Sequence, residues 1–268
     1  MRWHCVFALL ICSLSIHTLI AQVTVSAIVE PVEPGGDTTE IYERYSFPHV
    51  ESSDAKVAHK INEHLLLNAL YISVDSIHGS IFEQVRRSEE WPVPPIAFTL
   101  FNVVYNQKNV LSLDIAGEWC GAYCEGYTSH YNYDTQTGAP ITFASLFTTE
   151  GLQVINDSIV KWKRAEIAAQ IQLLQGTKTF NHEDSIDKVE AIEMYKDCLD
   201  DFTEAFFGPA HYQDYNITSI GFIIYQSRCS EHYNLSLDEL GEFDYRLSYK
   251  DYGKYLSPYG KALLAGRF

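Results

Sequence analysis

The sequence predicts an α+β protein: an antiparallel β-meander sheet packed with helices, in a small N-terminal α+β subdomain and a larger C-terminal one. Three observations carry that expectation. Phe98 to Phe147 contains two runs rich in Val, Leu, Phe and Tyr, Phe98 to Asn106 and Val110 to Trp119, on either side of the polar tetrad Asn106-Gln107-Lys108-Asn109. Such runs around a short polar break form hairpins. Elsewhere apolar residues recur every three or four positions, the period of a helix with one buried face. The cluster Trp91-Pro92-Val93-Pro94-Pro95 then punctuates the chain just before the meander and is the expected boundary between the subdomains, 22–95 and 96–268.

At the N-terminus, Met1-Arg2-Trp3-His4 is a short positive segment, Cys5 to Leu19 is apolar, and Ala21 is a small residue at a plausible cleavage point. That is the pattern of a secretory leader over residues 1–21, too short for a stable span. Cys12 follows Leu9-Leu10-Ile11 and lacks the small residue that precedes a lipidated Cys. The expected product is therefore exported, with no transmembrane anchor in the mature chain. A β-like alternation follows from residue 22 and gives way to a linker at Pro31, Pro34, Gly35 and Gly36. Tyr45 to Val50 is extended, because Pro48 disfavours helix in the residue before it. Ser52-Ser53-Asp54 offers N-caps for a helix to about Ser73, with Val57, Ile61, Leu65 and Ala69 as its buried stripe. A further amphipathic segment runs from Ile77 to Arg87.

Within the meander, a glycine- and cysteine-marked bend precedes a third strand, Tyr131-Asn132-Tyr133-Asp134, and Thr137-Gly138-Ala139-Pro140 supplies the next turn. Thr148 or Thr149 caps a helix from about Glu150 to Leu174, with Leu152, Ile155, Ile159, Trp162, Ile167, Ile171 and Leu174 on one face and Gly176 at its end. Ser185 is the expected cap of a second helix, whose stripe is Ile192, Tyr195, Leu199, Phe202 and Phe206, stopped by Gly208-Pro209. Ser219 to Tyr225 reads as a buried strand and Glu242 to Tyr249 as an alternating one, and Tyr249 to Leu256 as a terminal helix.

The chain carries 19 Lys and Arg against 35 Asp and Glu, a net charge of −16. A nucleic-acid partner needs clustered cations, so that class is excluded. The balance suits a soluble exported protein or one that meets a basic partner. Removal of the leader takes Cys5 and Cys12 with it and leaves Cys120, Cys124, Cys198 and Cys229. An even number in an exported chain points to disulfides. Three pairings are open; the expected set is Cys120–Cys124 closing the bend and Cys198–Cys229 tying a helix to a strand. The spacing fits a zinc site poorly, and no metal is expected.

No catalytic or cofactor motif emerges. His59 and His64 stand five apart, roughly 140° out of line at 100° per residue, so they cannot face one metal. His130, His182, His211 and His232 sit in polar, loop-like settings without a partner at ligand spacing. There is no Gly-x-Ser-x-Gly elbow and no phosphate loop, which leaves a hydrolase only as an alternative, with a Ser-His-Asp site assembled from distant residues. The acidic run from Glu183 to Glu204 falls mostly on the wet face of its helix. What stands out is tyrosine, 18 in all. Tyr123, Tyr127, Tyr131 and Tyr133 crowd the bend and third strand, and aromatic faces make protein contacts and stack on sugars.

The motifs at Val110 to Leu113, Gly121-Ala122, Tyr131 to Asp134, Thr137-Gly138 and Ile141 to Phe147, with the spacing from Gly241 to Leu256, resemble the RsiV-like domain family. That family includes extracytoplasmic regions of lysozyme-sensing anti-sigma factors and N-terminal regions of peptidoglycan deacetylases. The resemblance implies a non-catalytic binding or sensor protein of the bacterial cell envelope, periplasmic or extracellular. Its implied partner is a basic protein such as lysozyme, or alternatively peptidoglycan. With no cytoplasmic segment before the leader and no deacetylase domain after Phe268, only the binding half is expected to carry over. The family pattern has a His after Gly-Ala where this chain has Tyr123. The candidate ligand-binding residues are therefore Trp119, Gly121, Ala122, Tyr123 and Tyr127, bracketed by Cys120 and Cys124.

Overall fold

The computed structural model describes residues 23–31, 44–77, 79–86, 96–121, 123–178, 181–201 and 214–267. The expected leader, the Pro/Gly linker, the proline cluster at 91–95, Ala122, the end of the second long helix from Phe202 to Pro209, and His211 lie outside them. The architecture is mixed α+β, and the described residues form one five-stranded and one three-stranded sheet. The five-stranded sheet runs in chain order through β1 (Thr24–Pro31), β2 (Arg44–Glu51), β3 (Ile96–Gln107), β4 (Val110–Cys120) and β5 (Cys124–Asp134). All neighbours are antiparallel except β2 and β3, which meet in parallel at Tyr45 and Thr99.

The β3–β4 hairpin is closed by Lys108 and Asn109, both left-handed at φ 49° and 66°, between the paired Gln107 and Val110. Two consecutive left-handed residues match the twist of the strands they join, and the polar tetrad of the sequence thereby reduces to a two-residue turn. β5 is much longer than the expected four residues. It pairs with β4 in unbroken register from Val110↔Asp134 to Cys120↔Cys124, so the expected bend is a tight hairpin end.

Helix α1 (Ala55–Ala69) is capped by Asp54, whose Oδ1 accepts from the Lys56 amide at 2.9 Å, and it buries Val57, Ile61, Leu65 and Ala69 as its period requires. It ends four residues short of the expected limit. The Ile72 amide turns back to the Leu66 carbonyl, and Tyr71 takes φ 58°. A left-handed residue just past the last turn ends the helix, with tyrosine where glycine is usual. Among the described residues of the segment 77–87, α2 (Ile81–Arg86) is the helical part. These helices and the strands share one core: Phe47, Ile61, Leu65 and Phe82 meet Leu111, Leu113, Ile115 and Tyr133 of the meander.

The second sheet is β6 (Tyr215–Ile217), β7 (Gly221–Gln226) and β8 (Phe243–Ser248), all antiparallel. Its inner face, with Phe222, Ile224, Tyr245 and Leu247, packs against α3 (Phe143–Leu146), α4 (Thr149–Gly176) and α5 (His182–Asp201). Thr148 caps α4, as expected. Asn181, rather than Ser185, caps α5: its Oδ1 accepts from the Asp184 amide at 2.7 Å, and Ser185 lies inside the first turn. The expected terminal helix is interrupted. α6 (Tyr249–Tyr252) passes through a 3-10 turn to Leu256, which bridges to Phe147; Ser257 and Pro258 then start α7 (Pro258–Leu263). A Ser N-cap followed by Pro is the mark of this second helix start.

Candidate functional site

β4 and β5 carry two features at different heights. At their free end, Cys120 and Cys124 form a disulfide across the last pair of the ladder, with Cα atoms 4.0 Å apart. The other two cysteines join α5 to the segment after β7 as Cys198–Cys229. Between Cys120 and Cys124, the Gly121 amide donates to the Tyr123 carbonyl at 2.9 Å and leaves the Tyr123 side chain 74% exposed. Trp119 and Tyr127 are half-buried just below. The structure thus gathers Trp119, Gly121, Tyr123 and Tyr127 at one end of a hairpin.

Tyr127 lies across the bare backbone of its cross-strand partner Gly117: a Cβ there would stand 2.5 Å from its hydroxyl and 2.8 Å from the Phe98 carbonyl. Glycine at 117 is what allows the ring to lie on the strand. Burial pushes the Tyr127 phenol up to about 12, with the nearby Tyr71 adding to the shift. Tyr131 is likewise raised to about 12 by burial, against a hydrogen bond from Ser129. Tyr71, on its left-handed backbone, is 69% exposed beside this group. Further down, His64 Nδ1 meets the Tyr133 hydroxyl at 2.9 Å, and burial lowers the His64 pKa. His59 instead approaches Glu63 in solvent, so the two helix histidines do not converge.

Glu118 stands with Cys120 and Cys124 in a group of metal-ligand types whose atoms lie within 4.8 Å of one another. Both sulfurs are spent in the disulfide, which leaves one carboxylate and no thiolate to hold an ion.

The second feature is a polar joint between the two sheets. His130 is not in a loop, as the sequence suggested, but in the middle of β5, with Nδ1 2.7 Å from Asp114 Oδ1 on β4. Its ring stacks on Tyr225 of β7 at 3.8 Å and 6°. Asn216 of β6 donates to Asp114 at 2.6 Å and to the Tyr225 hydroxyl at 3.2 Å, and accepts from the Ser112 hydroxyl at 3.0 Å. Asn132 completes the joint by donating to the Tyr215 carbonyl and accepting from the Ile217 amide. Burial raises the Tyr225 pKa, with the Asn216 hydrogen bond working against it. Among the described residues, the hydrogen bonds of His130 go to Asp114 and Asn216.

Sequence reasoning missed this joint. Its trace was present in the alternation of β5, where Thr128, His130, Asn132 and Asp134 interleave with Tyr127, Tyr131 and Tyr133. That stripe marks a polar face; nothing local says that another sheet will cover it.

Fold and site together define a two-sheet α+β protein with a cystine-clasped aromatic hairpin end. No family model matches the sequence, and no curated protein matches it. Among solved structures it is similar to a member of the DUF3298 family from Bacteroides fragilis, with a TM-score of 0.50 and 14% identity, covering 91% of this chain and 96% of that one. It is also similar to a DUF3298 family protein from Pseudomonas aeruginosa, with a TM-score of 0.49 and 12% identity over 89% and 95% of the two chains. At these identities the likeness concerns the fold, and it meets the RsiV-like expectation only loosely. Two disulfides are consistent with an exported protein. Among the described residues no helix is long and apolar enough to cross a membrane.

Proposed function

We propose that this chain is an exported, non-catalytic recognition protein of the bacterial cell envelope, which docks a basic protein of the lysozyme kind on its β4–β5 hairpin end. The observation that carries the reading is the Cys120–Cys124 clasp with Tyr123 projecting 74% exposed. A clasped loop has little conformational entropy left to lose on binding, and tyrosine supplies a large contact at small rotamer cost. Tyr71 adds a second exposed ring held by an unfavourable backbone conformation, and such conformations persist where the surrounding structure enforces them. Glu118 and Glu125 neighbour the rings in the sequence, Glu125 with Arg228 3.9 Å away, and the whole chain carries −16, which favours encounter with a cation-rich surface.

Calorimetric titration with lysozyme at low and moderate salt tests the proposal. Saturable heat is expected at both, weaker at the higher salt, and Tyr123→Ala should reduce affinity by roughly ten-fold or more, as for an interface anchor. Absence of heat at either salt overturns it. The same exposed rings also suit stacking on sugars, so the competing ligand is peptidoglycan. Retention on purified cell wall that is lost in Tyr123→Ala, together with silence toward lysozyme, would assign the hairpin end to glycan instead.

A further inference from the structure

The chain as a whole is strongly acidic, yet its last described segment reverses the balance. Between Tyr249 and Arg267 stand Lys250, Lys254, Lys261 and Arg267 against a single carboxylate, Asp251. α6, the 3-10 turn and α7 fold these residues around an open cleft of about 500 Å³, lined by the four cations with Tyr249 and Gly253. Lys108, from the β3–β4 turn, reaches the rim, where its Nζ donates to the Gly266 carbonyl at 3.3 Å. We propose that this cleft binds a small polyanion carrying two or more phosphate or carboxylate charges.

Four features support the assignment. Among the described residues none of the four lining cations has an ion-pair partner. Asp251 is turned away, accepting from the Ser248 hydroxyl at 2.6 Å as part of the α6 cap. Arg267 is held in place without a counter-charge. Its Nη atoms donate to the Tyr249 hydroxyl and to the Gln107 and Lys108 carbonyls, its guanidinium lies 4.5 Å over the Tyr105 ring, and its Nε is buried with no partner. Converging like charges repel, so a cleft of this kind is completed by an anion that all of them share. The volume is that of an ordinary small-ligand site.

The site is independent of the hairpin end. Lys108 precedes the first residue of β4 and Cys120 is its last, a separation of about 35 Å at the rise of an extended strand.

The test is a titration of the isotope-labelled full chain with pyrophosphate and with citrate, followed by amide shifts, using sodium chloride at matched ionic strength as the control. Saturable shifts at Tyr249, Gly253 and Gly266 are expected with either anion. A response to pyrophosphate alone would assign phosphate as the ligand chemistry, and a response to citrate alone would assign carboxylate. The three lysines are exposed, so Lys250→Gln/Lys254→Gln/Lys261→Gln should fold normally and bind roughly ten-fold more weakly or worse, through loss of three converging charges. Tyr123→Ala should bind the anions as wild type does, so this proposal and the hairpin reading fail separately. Shifts no larger than those in sodium chloride, or a triple variant with wild-type melting that binds within about two-fold of wild type, would overturn the proposal.

Discussion

Removing the two disulfides should have unequal consequences, and the inequality follows from how much chain each one closes. Cys198–Cys229 spans a sequence separation of 31 and Cys120–Cys124 a separation of 4. Loop-closure entropy of the unfolded chain grows with the logarithm of that separation, which gives about 4 kcal/mol for the long bridge and about 2 kcal/mol for the short one. Cys198 and Cys229 also pack against the core beneath the second sheet, so their loss adds to the entropic cost. The Cys120–Cys124 clasp borders solvent, with Cys124 exposed, and has no such contribution. Cys198→Ser/Cys229→Ser and Cys120→Ser/Cys124→Ser are the variants, and urea unfolding followed by tryptophan fluorescence and circular dichroism is the assay. The long-loop variant should also show a larger urea slope, because its unfolded state expands more. Equal losses, or a greater loss in the hairpin variant, would refute the reasoning. If the clasp serves recognition, its removal should lower lysozyme affinity more than it lowers stability.

Asn216→Ala should cost about 2–4 kcal/mol in the same urea assay, because it leaves a cavity and strips the buried Ser112 and the half-buried Asp114 of a partner at the joint between the sheets. A loss under about 0.5 kcal/mol would mean that the joint contributes nothing beyond packing. Lys163, on the buried face of α4, has its pKa lowered to about 8 by burial, with the Asp238 charge opposing. Below pH 8 both states are protonated and the burial penalty is present in full. Between about 8 and the ordinary 10.5, the unfolded chain keeps a proton that the folded chain releases, so stability should rise with pH. Above pH 10 the raised phenols of Tyr127, Tyr131 and Tyr195 reverse the slope, since the unfolded state then loses its protons first. The expected gain from pH 8 to 10 is about 1–2 kcal/mol, and Lys163→Met should abolish it. A gain that survives in the variant would place its origin elsewhere.

Much of the molecule was legible in the chain because it depends on short-range periodicity. The four-residue steps of Val57, Ile61, Leu65 and Ala69 define the buried stripe of α1 without reference to anything else. The polar tetrad at 106–109 marks the β3–β4 turn, although only backbone geometry shows that two residues suffice. Boundaries were harder where a cap competes with a better one nearby, as with Asn181 against Ser185. The terminal segment failed for a tertiary reason: Leu256 is drawn into a bridge with Phe147, which breaks a helix that the local pattern allows.

The hairpin end divides along the same line. Cys120, Cys124, Trp119 and Tyr123 lie within six residues, so the sequence by itself determined that they would be neighbours in whatever bend formed there. Long-range structure alone decided that Tyr71 would stand beside Tyr127 and that Gly117 would carry its ring. The polar joint is the clearest case. Ser112, Asp114, His130 and Asn132 occupy the polar side of two alternating strands, a pattern that on an isolated meander belongs in water. The arrival of Asn216 and Tyr225 from a second sheet about a hundred residues later in the chain buries that face and turns solvated side chains into a hydrogen-bonded contact. Alternation dictates which side of a strand a residue takes; what lies against that side is settled only when distant segments pack.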